Sequence, residues 1–489
     1  MIGILLQAWP ALLIAVPLAL ACLTYLLPRR AAGLAVAACG LNLAVAVGLA
    51  WHVASGGPLR HAVGGWAPPL GIGLRVDGLA VLMLLATAAV ALAAAVYALA
   101  YFRGRGAGRA FWPLWLFLLG GLNALFAAAD LFNLYVTLEL SGLAAVALVT
   151  VSGETAGIAA AVRYLLVGLT GSLCYLLGVA LLYGGFGTVD LALLGAATPG
   201  PVLAVALALM TAGLLFKAGL FPFHFWLPAA HSNAPAPVSA MLSALVVEAA
   251  FYLVLRLWTE LAPAALAEQA LPVLAVLGGA AVLWGAVNAV VARRLKLMVA
   301  YSTVAQLGYL FLVLPLLLGP GTGVWSGMAV LLLAHACAKG AAFLAAGTVL
   351  HQAGHDRIHD LGGTAQRLPL TISALILAGV TLIGLPPSGG FLAKWLLLNA
   401  AIGAQAWWTV AVLLAGSVLA GAYVFRVVGV TFDHVEEVGP RHRVPAALEW
   451  SAFALAAAAI LIGLFGSGIA TLATVGAPVE GPLLQEMVR

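Results

Sequence analysis

Charged residues are scarce in this sequence of 489 residues, and their scarcity decides the class of protein. Only 8% of the residues are charged, whereas 64% are hydrophobic. Soluble domains carry about 25% charged residues, so a soluble globular chain is excluded. Apolar runs of roughly 18 residues or more recur along the chain, and each is long enough to cross a bilayer core of about 30 Å. The short alternating segments of a membrane β-barrel are absent.

Cysteines and cofactor motifs are also rare. The chain has four cysteines, Cys22, Cys39, Cys174 and Cys337. All of them lie in apolar runs at unrelated spacings, so we expect neither a disulfide framework nor a zinc site. There is no Gly-rich phosphate loop, Walker lysine or nucleophile elbow, and we expect no cofactor.

Three histidines at four-residue spacing are the one pattern that suggests a metal site. They are His351, His355 and His359. Because they lie in a polar connection among charged residues and glycines, we interpret the segment as a solvated turn and expect no metal.

The apolar runs predict an all-α polytopic membrane protein with about fourteen transmembrane helices. The first run has no positive charge before Pro10, which secretory signals need, so we interpret it as a span and not as a cleaved signal. We number the runs span 1 to span 14 and place them near 4–26, 32–54, 77–101, 111–129, 132–151, 160–184, 201–232, 237–258, 270–292, 298–317, 323–350, 370–400, 407–430 and 446–474.

The distribution of Lys and Arg predicts the orientation, since cytoplasmic connections are enriched in both. With the N-terminus outside, 14 of the 21 basic residues fall in inside connections, 4 fall outside and 3 lie within spans. The inside set is Arg29, Arg30, Arg103, Arg105, Arg109, Arg163, Arg293, Arg294, Lys296, Arg357, Arg367, Arg426, Arg441 and Arg443. The outside set is Arg60, Arg75, Arg256 and Arg489. Both termini are thus predicted on the outer side of the cytoplasmic membrane, and the net charge of +5 reflects topology and not a nucleic-acid partner.

Two spans contain a proline-rich break next to a lysine. Span 7 carries Lys217 just before Pro222 and Pro228, and span 12 carries Pro386 and Pro387 just before Lys394. A charge at the centre of a membrane helix costs roughly 2.5–3.5 kcal/mol on insertion scales. Broken backbone at membrane depth is tolerated only where protein or water covers it. A buried lysine beside a broken helix therefore indicates an ion path.

The two breaks lie five spans apart, which predicts two inverted five-helix repeats, spans 4–8 and spans 9–13. Paired interrupted helices in corresponding halves point to a transport site near the midplane. We divide the chain into N-terminal helices (1–110), a first repeat (111–258), a second repeat (270–430) and a C-terminal connection with span 14 (431–489).

Few other ionisable residues lie within the spans. Together with the two lysines, the candidates for a proton relay are Glu139, Lys217, Glu248, His335, Lys339 and Lys394. Supporting candidates are His224, His231 and Asp130. Two of these have structural alternatives, since Asp130 is also placed to lie at the membrane interface and His231 to cap a helix end. His335 and Lys339 are four residues apart and share one helix face.

The motifs around these residues resemble the antiporter-like membrane subunits of respiratory complex I, the Mrp cation/proton antiporters and membrane-bound hydrogenases. The resemblance rests on the segment from Lys217 to Ala240, on 130–140, on Ala300–Tyr309, on 335–347 and on 384–394. It implies fourteen helices with inverted repeats, a charge pair of Glu139 with Lys217, and Lys394 as the second relay lysine. It also implies a place in a hetero-oligomer beside similar subunits.

The sequence departs from that family at three positions. Glu248 stands where the family usually has a lysine, Ala229 replaces an acidic residue, and Arg293 or Arg294 replaces an acid before span 10. The chain also lacks the long lateral helix of the largest such subunits, which favours the shorter type, such as the D-type membrane protein of the Mrp antiporters.

Three functions remain open at this point. The first is a subunit of a multisubunit complex that translocates protons or exchanges a cation for protons, which is not catalytic by itself and relays protons through buried Glu, Lys and His residues. The second is a subunit of the same architecture that no longer transports and serves as a scaffold. The third is a stand-alone secondary transporter. The coupling ion, whether the proton alone or also Na⁺ or K⁺, is not fixed by the sequence.

Overall fold

The computed structural model of the chain describes residues 9–104, 106, 108–319, 323–433 and 444–478. Arg105, Arg441, Arg443 and Arg489, which we used for the orientation, lie outside these residues, as does the predicted start of span 1 before Trp9.

Long helices account for nearly all of the described chain. They run over Trp9–Leu26, Ala31–Gly56, Gly78–Tyr101, Gly108–Ala127, Leu131–Thr150, Thr155–Phe186, Leu191–Gly195, Pro201–Ala218, Leu227–Asn233, Ala236–Met241, Val247–Glu260, Ala264–Val291, Leu295–Leu312, Gly323–Ala353, Thr364–Arg367, Pro369–Ile383, Gly389–Gly403, Trp407–Phe432, Ala446–Leu464 and Gly466–Thr474. Short 3₁₀ turns occur at Val63–Gly65, Phe223–Trp226, Leu314–Leu318 and Ile358–Asp360.

Thirteen of the helical segments in this described part are long and apolar enough to cross a membrane. Two shorter apolar helices, Pro369–Ile383 and Gly389–Gly403, flank the second break. Counting these two as one broken span gives the predicted fourteen, and the all-α polytopic fold is confirmed.

A single two-stranded sheet lies in the described chain between spans 2 and 3. Strand β1 (Leu59–Ala62) pairs antiparallel with β2 (Gly73–Val76), with Arg60 opposite Arg75. We call the end of the molecule that carries this hairpin the hairpin side. Asp77 follows β2 directly and caps span 3, because its side chain accepts a 3.0 Å hydrogen bond from the Ala80 amide.

Both breaks begin at a glycine in the left-handed region, which favours glycine over other residues. Gly219 (φ 63°) ends the first helix of span 7, and Gly384 (φ 89°) ends the first helix of span 12. Pro386 and Pro387 lie in the turn that follows Gly384. Pro228 was predicted to break span 7, and this was wrong: it is the second residue of the helix Leu227–Asn233, where a missing N–H costs nothing.

Span 8 contains an irregularity that the sequence did not reveal. Residues Leu242–Val246 form a π-helical turn between the helices Ala236–Met241 and Val247–Glu260. Such turns are rare and are frequent at functional sites. This one ends two residues before Glu248, so it helps to set the direction of that side chain.

Candidate functional site

Lys217 and Glu139 form an ion pair between spans 7 and 5. The Lys217 ammonium contacts Glu139 Oε1, and the Ser172 hydroxyl of span 6 donates to the same oxygen. The side chains are only 10% and 17% exposed. Lys217 lies in the last turn before Gly219, where a positive charge also interacts favourably with the helix C-terminus.

A small cavity connects this pair to span 8. Its lining includes Glu139, Lys217 and Ser141 on one side and Val246 and Ala249 of span 8 on the other. It offers about 30 Å³ for the centres of water molecules, more than the roughly 10–15 Å³ that one water needs. Val246 and Ala249 flank Glu248 in sequence, so water in this cavity lies between the ion pair and the Glu248 region.

Glu248 and His335 meet at the centre of the molecule. Glu248 is fully buried and His335 is 2% exposed, and Glu248 Oε1 contacts His335 Nδ1. Glu248 Oε2 and His335 Nε2 find no hydrogen-bond partner among the described residues. Buried polar atoms are almost always paired, so each member of this pair has one position open for a proton or a water molecule.

Lys339 lies one helical turn beyond His335 on span 11 and is fully buried. Its ammonium donates to the Val299 carbonyl at 3.1 Å and to the Ser302 hydroxyl, both on span 10. In the described part of the chain, no carboxylate oxygen lies within ion-pair distance of this ammonium. Neutral oxygens alone therefore hold this charge.

Lys394 is held in the same way at the second break. Its ammonium donates to the carbonyls of Leu382 and Ile383 and to the Ser417 hydroxyl, each at 3.0 Å. It also lies 4.4 Å from the centre of the Tyr309 ring, a cation–π arrangement. The two carbonyls belong to the last turn before Gly384, so the break itself supplies the acceptors.

A second small cavity lies between the sites of Lys339 and Lys394. It offers about 20 Å³ for water centres, and its lining includes Ser302, Leu382 and Tyr423. Ser302 is a partner of Lys339 and Leu382 is a partner of Lys394. Gln306 adds a 3.0 Å hydrogen bond from its amide to the Leu382 carbonyl. One water molecule fits this space, which places a polar connection between the two lysines.

The supporting candidates lie in different surroundings. Asp130 caps span 5 by accepting a 2.7 Å hydrogen bond from the Asn133 amide, and burial raises its pKa. His224 accepts a 3.0 Å hydrogen bond from the Trp284 indole at the first break. Neither belongs to the chain of contacts described above.

The expectation that His231 caps a helix end was wrong. The residue is fully buried and stacks on Phe343, with ring centres 5.5 Å apart. Neither ring nitrogen has a partner among the described residues. A buried histidine without partners is a place where a water molecule or a proton can bind, not a cap.

Two basic residues that we placed in connections are in fact buried. Lys296 is 2% exposed, lies in the first turn of span 10 and donates to the Ala234 carbonyl. Arg256 is 4% exposed and contacts Asp77 and Glu260. The four-residue spacing of Glu248, Tyr252, Arg256 and Glu260 is a signal that could have revealed the second of these.

Comparison with known proteins now places the chain. Residues 128–420 match the transmembrane family described as NADH:quinone oxidoreductase/Mrp antiporter. The chain belongs to this family. The match includes every relay candidate from Glu139 to Lys394, and the resemblance inferred from the motifs is confirmed. The chain is a multi-pass membrane protein.

Relatives come from several kinds of complex. NADH-quinone oxidoreductase subunit N of Desulforudis audaxviator is 40% identical over 86% of this chain and 85% of its own. A subunit in the structure of the Mrp complex from Dietzia sp. superposes with a TM-score of 0.89 at 29% identity, covering 99% of this chain and 100% of that one. A chain of an archaeal membrane-bound sulfane sulfur reductase superposes with a TM-score of 0.88 at 30% identity, covering 98% and 99%.

Proposed function

We propose that this chain translocates protons across the cell membrane as one subunit of a multisubunit complex. The observation that carries the proposal is the row of buried ionisable side chains in spans 5, 7, 8, 11 and 12, with room for water between them. Ionisable residues inside membranes are costly, and they mark proton relays and ion pathways. The family membership and the complexes named for its relatives support the same conclusion.

The relay begins at Lys217. While Glu139 is in contact, the carboxylate favours the charged ammonium. When Glu139 moves away, the low-polarity surroundings disfavour that charge, and the ammonium passes a proton to water in the neighbouring cavity. Return of the carboxylate lets Lys217 take up another proton.

The proton next reaches the Glu248–His335 pair, whose two open atoms accept and release it in turn. Glu248 Oε2 binds the proton on one side, and His335 passes a proton on toward Lys339. Because the carboxylate and the imidazole are in contact, loading one side favours release from the other. A carboxylate thus takes the place that a lysine usually occupies in this family.

The last step runs from Lys339 to Lys394. Ser302 and the second cavity provide the connection, since water between Ser302 and the Leu382 carbonyl spans the gap. Neutral oxygens surround both lysines, so no ion pair has to break for a proton to move.

We also propose the division into two inverted repeats, at 111–258 and 270–430, and the orientation with both termini outside. The repeats are supported by the two breaks, which both start at a left-handed glycine. The orientation is supported by the excess of Lys and Arg in one set of connections.

The partners that we propose are other membrane subunits, including similar antiporter-like ones. A redox reaction in partner subunits would drive the relay, as the names of the NADH-quinone oxidoreductase and sulfane sulfur reductase relatives suggest. Exchange of a cation for protons is the second candidate, and it is favoured by the superposition on the Mrp subunit over 99% of this chain.

The test is the Lys217→Ala variant in the intact complex, with proton and sodium flux measured in sealed vesicles. We expect proton movement to fall at least tenfold, because the first relay group is gone. The exposed Arg163→Ala variant is the control and should leave flux unchanged. Unchanged flux in Lys217→Ala would refute this route.

Two further measurements separate the alternatives. Flux that survives combined replacement of Glu139 and Lys394 would favour a scaffold without transport of its own. A purified single chain that is active in vesicles without partners would favour a stand-alone transporter.

A further inference from the structure

A polar stripe runs along span 8 from the centre of the molecule to the hairpin side. Glu248, Tyr252, Arg256 and Glu260 follow at four-residue spacing on the helix Val247–Glu260, so they lie on one side of it. Arg256 is 4% exposed, and the Glu260 side chain is 8% exposed. The twelve residues from Glu248 to Glu260 span about 18 Å at 1.5 Å per residue. Without an interruption, this stripe would connect the buried relay to one side of the membrane.

Arg256 interrupts the stripe by contacting three neighbours. It donates to Asp77 Oδ1 at 2.6 Å, to Glu260 Oε1 at 3.0 Å and to the Tyr252 hydroxyl at 3.0 Å. The Tyr252 hydroxyl in turn donates to the Phe126 carbonyl at 3.1 Å. The hydroxyl therefore already has both an acceptor and a donor, and it faces Arg256 on the side away from Glu248.

Arg75 completes the cluster from the hairpin. It donates to Asp77 Oδ2 at 2.9 Å and to the two Glu260 oxygens at 2.8 and 2.9 Å. All four carboxylate oxygens of Asp77 and Glu260 consequently accept a hydrogen bond from a guanidinium group. Arg75 is the most exposed member, at 19% of its side chain.

The cluster contains two positive and two negative charges, and none of its groups is ready to take up a proton. Burial raises the pKa of Asp77, but the charge and hydrogen bond of Arg256 outweigh burial and hold the pKa at about 2. Asp77 is therefore ionised at neutral pH. A guanidinium group stays protonated in proteins and has no acceptor site. A fixed arginine charge of this kind forms an electrostatic barrier to protons in membrane pores.

We infer that Arg256 is the barrier that prevents protons on Glu248 from leaving along span 8 to the hairpin side. The barrier directs the proton sideways to His335 and so prevents dissipation of the gradient. The inference rests on the proposed relay, since it presumes that Glu248 carries protons. Arg256 acts on the path through its charge and does not itself bind the transported proton.

The experiment measures passive proton leak through the intact complex in vesicles without any driving reaction. A trapped pH indicator follows the decay of an imposed pH step while the membrane potential is clamped. The key variant is Arg256→Lys, which keeps the charge but can lose a proton. Its neutral fraction rises about tenfold per pH unit until half is neutral.

We expect leak through Arg256→Lys to rise several-fold or more between pH 7 and pH 9, while the natural protein shows no such rise. Arg75→Lys is the matched control, because Arg256 remains and leak should stay at the natural level. The charge-balanced double variant R256Q/E260Q should leak at all pH values in this range. A purely structural role of Arg256 predicts no pH-dependent leak.

Natural leak rates in both Arg256→Lys and the double variant, in assembled complexes, would overturn the inference. This failure is distinguishable from failure of the proposed function. If Lys217→Ala abolishes driven transport while the Arg256 variants do not leak, only the barrier is wrong. If Lys217→Ala transports normally, the relay is wrong whatever the leak.

Discussion

Lys217 and Lys394 each lie beside a broken helix, yet their surroundings differ. Lys217 contacts a carboxylate, Glu139, which in turn binds the Ser172 hydroxyl. Lys394 contacts two backbone carbonyls, the Ser417 hydroxyl and an aromatic ring. The first lysine has a partner of opposite charge that can move, and the second has only neutral, fixed partners.

The difference assigns separate roles to the two halves. At Lys217 a change in the Glu139 distance alters the balance between charged and neutral lysine, which suits a site that starts transfer. The charge of Lys394 can disappear without leaving a carboxylate unpaired, which suits a site that receives and releases protons. Replacing each lysine should therefore affect stability very differently.

The largest expected effect on stability comes from Lys217→Ala, because it leaves the Glu139 carboxylate buried without its partner. Removing one member of a buried pair costs about 3–5 kcal/mol, and the 17% exposure of Glu139 places the loss near the lower value, about 3 kcal/mol. Thermal unfolding of the purified complex measures it. The added Glu139→Gln substitution should recover much of the loss, and a double variant no more stable than Lys217→Ala would contradict an energetic pair.

Lys394→Met should have a smaller effect on stability, within about 1 kcal/mol of the natural protein, because burial of a charge is removed together with its contacts. Leu382 keeps its hydrogen bond from Gln306. Proton transport should nevertheless be lost. The same unfolding assay compares the two variants directly, and a loss as large as that of Lys217→Ala would remove the proposed difference between the halves.

The smallest effects are expected for the two hydroxyls. Ser172→Ala and Ser417→Ala each remove one hydrogen bond to a charged group, worth about 1.5–3 kcal/mol at most and less if water replaces the hydroxyl. Transport should slow in Ser172→Ala more than in Ser417→Ala, since only Ser172 holds the movable Glu139. Equal rates in the two variants would argue against motion of Glu139 as the starting event.

The number of spans, the two breaks and the buried charges were predictable because each is a local feature of the sequence. Long apolar runs define spans, and a lone Lys217 or Lys394 within such a run is conspicuous. The motifs were specific enough to indicate the family. The positions of the breaks followed from proline and glycine, although Gly219 and not Pro228 ends the first helix of span 7.

The partners of the buried groups were not predictable, since they depend on contacts between distant residues. Arg256 contacts Asp77 across 179 residues of sequence, so its charge looked like that of a connection. Lys296 follows two arginines, and only the packing of its helix shows that it is buried. The π-helical turn before Glu248 has no composition signal, because its residues, Leu242–Val246, are ordinary helix and strand formers.

The most direct test of the account is proton transport by the Lys217→Arg variant in the intact complex. Arginine keeps the positive charge and can still contact Glu139, but its guanidinium does not give up a proton. The account predicts normal assembly and stability close to that of the natural protein, with driven proton movement reduced as strongly as in Lys217→Ala. Normal proton movement by Lys217→Arg would contradict it, because the charge alone, and not the proton of Lys217, would then be sufficient.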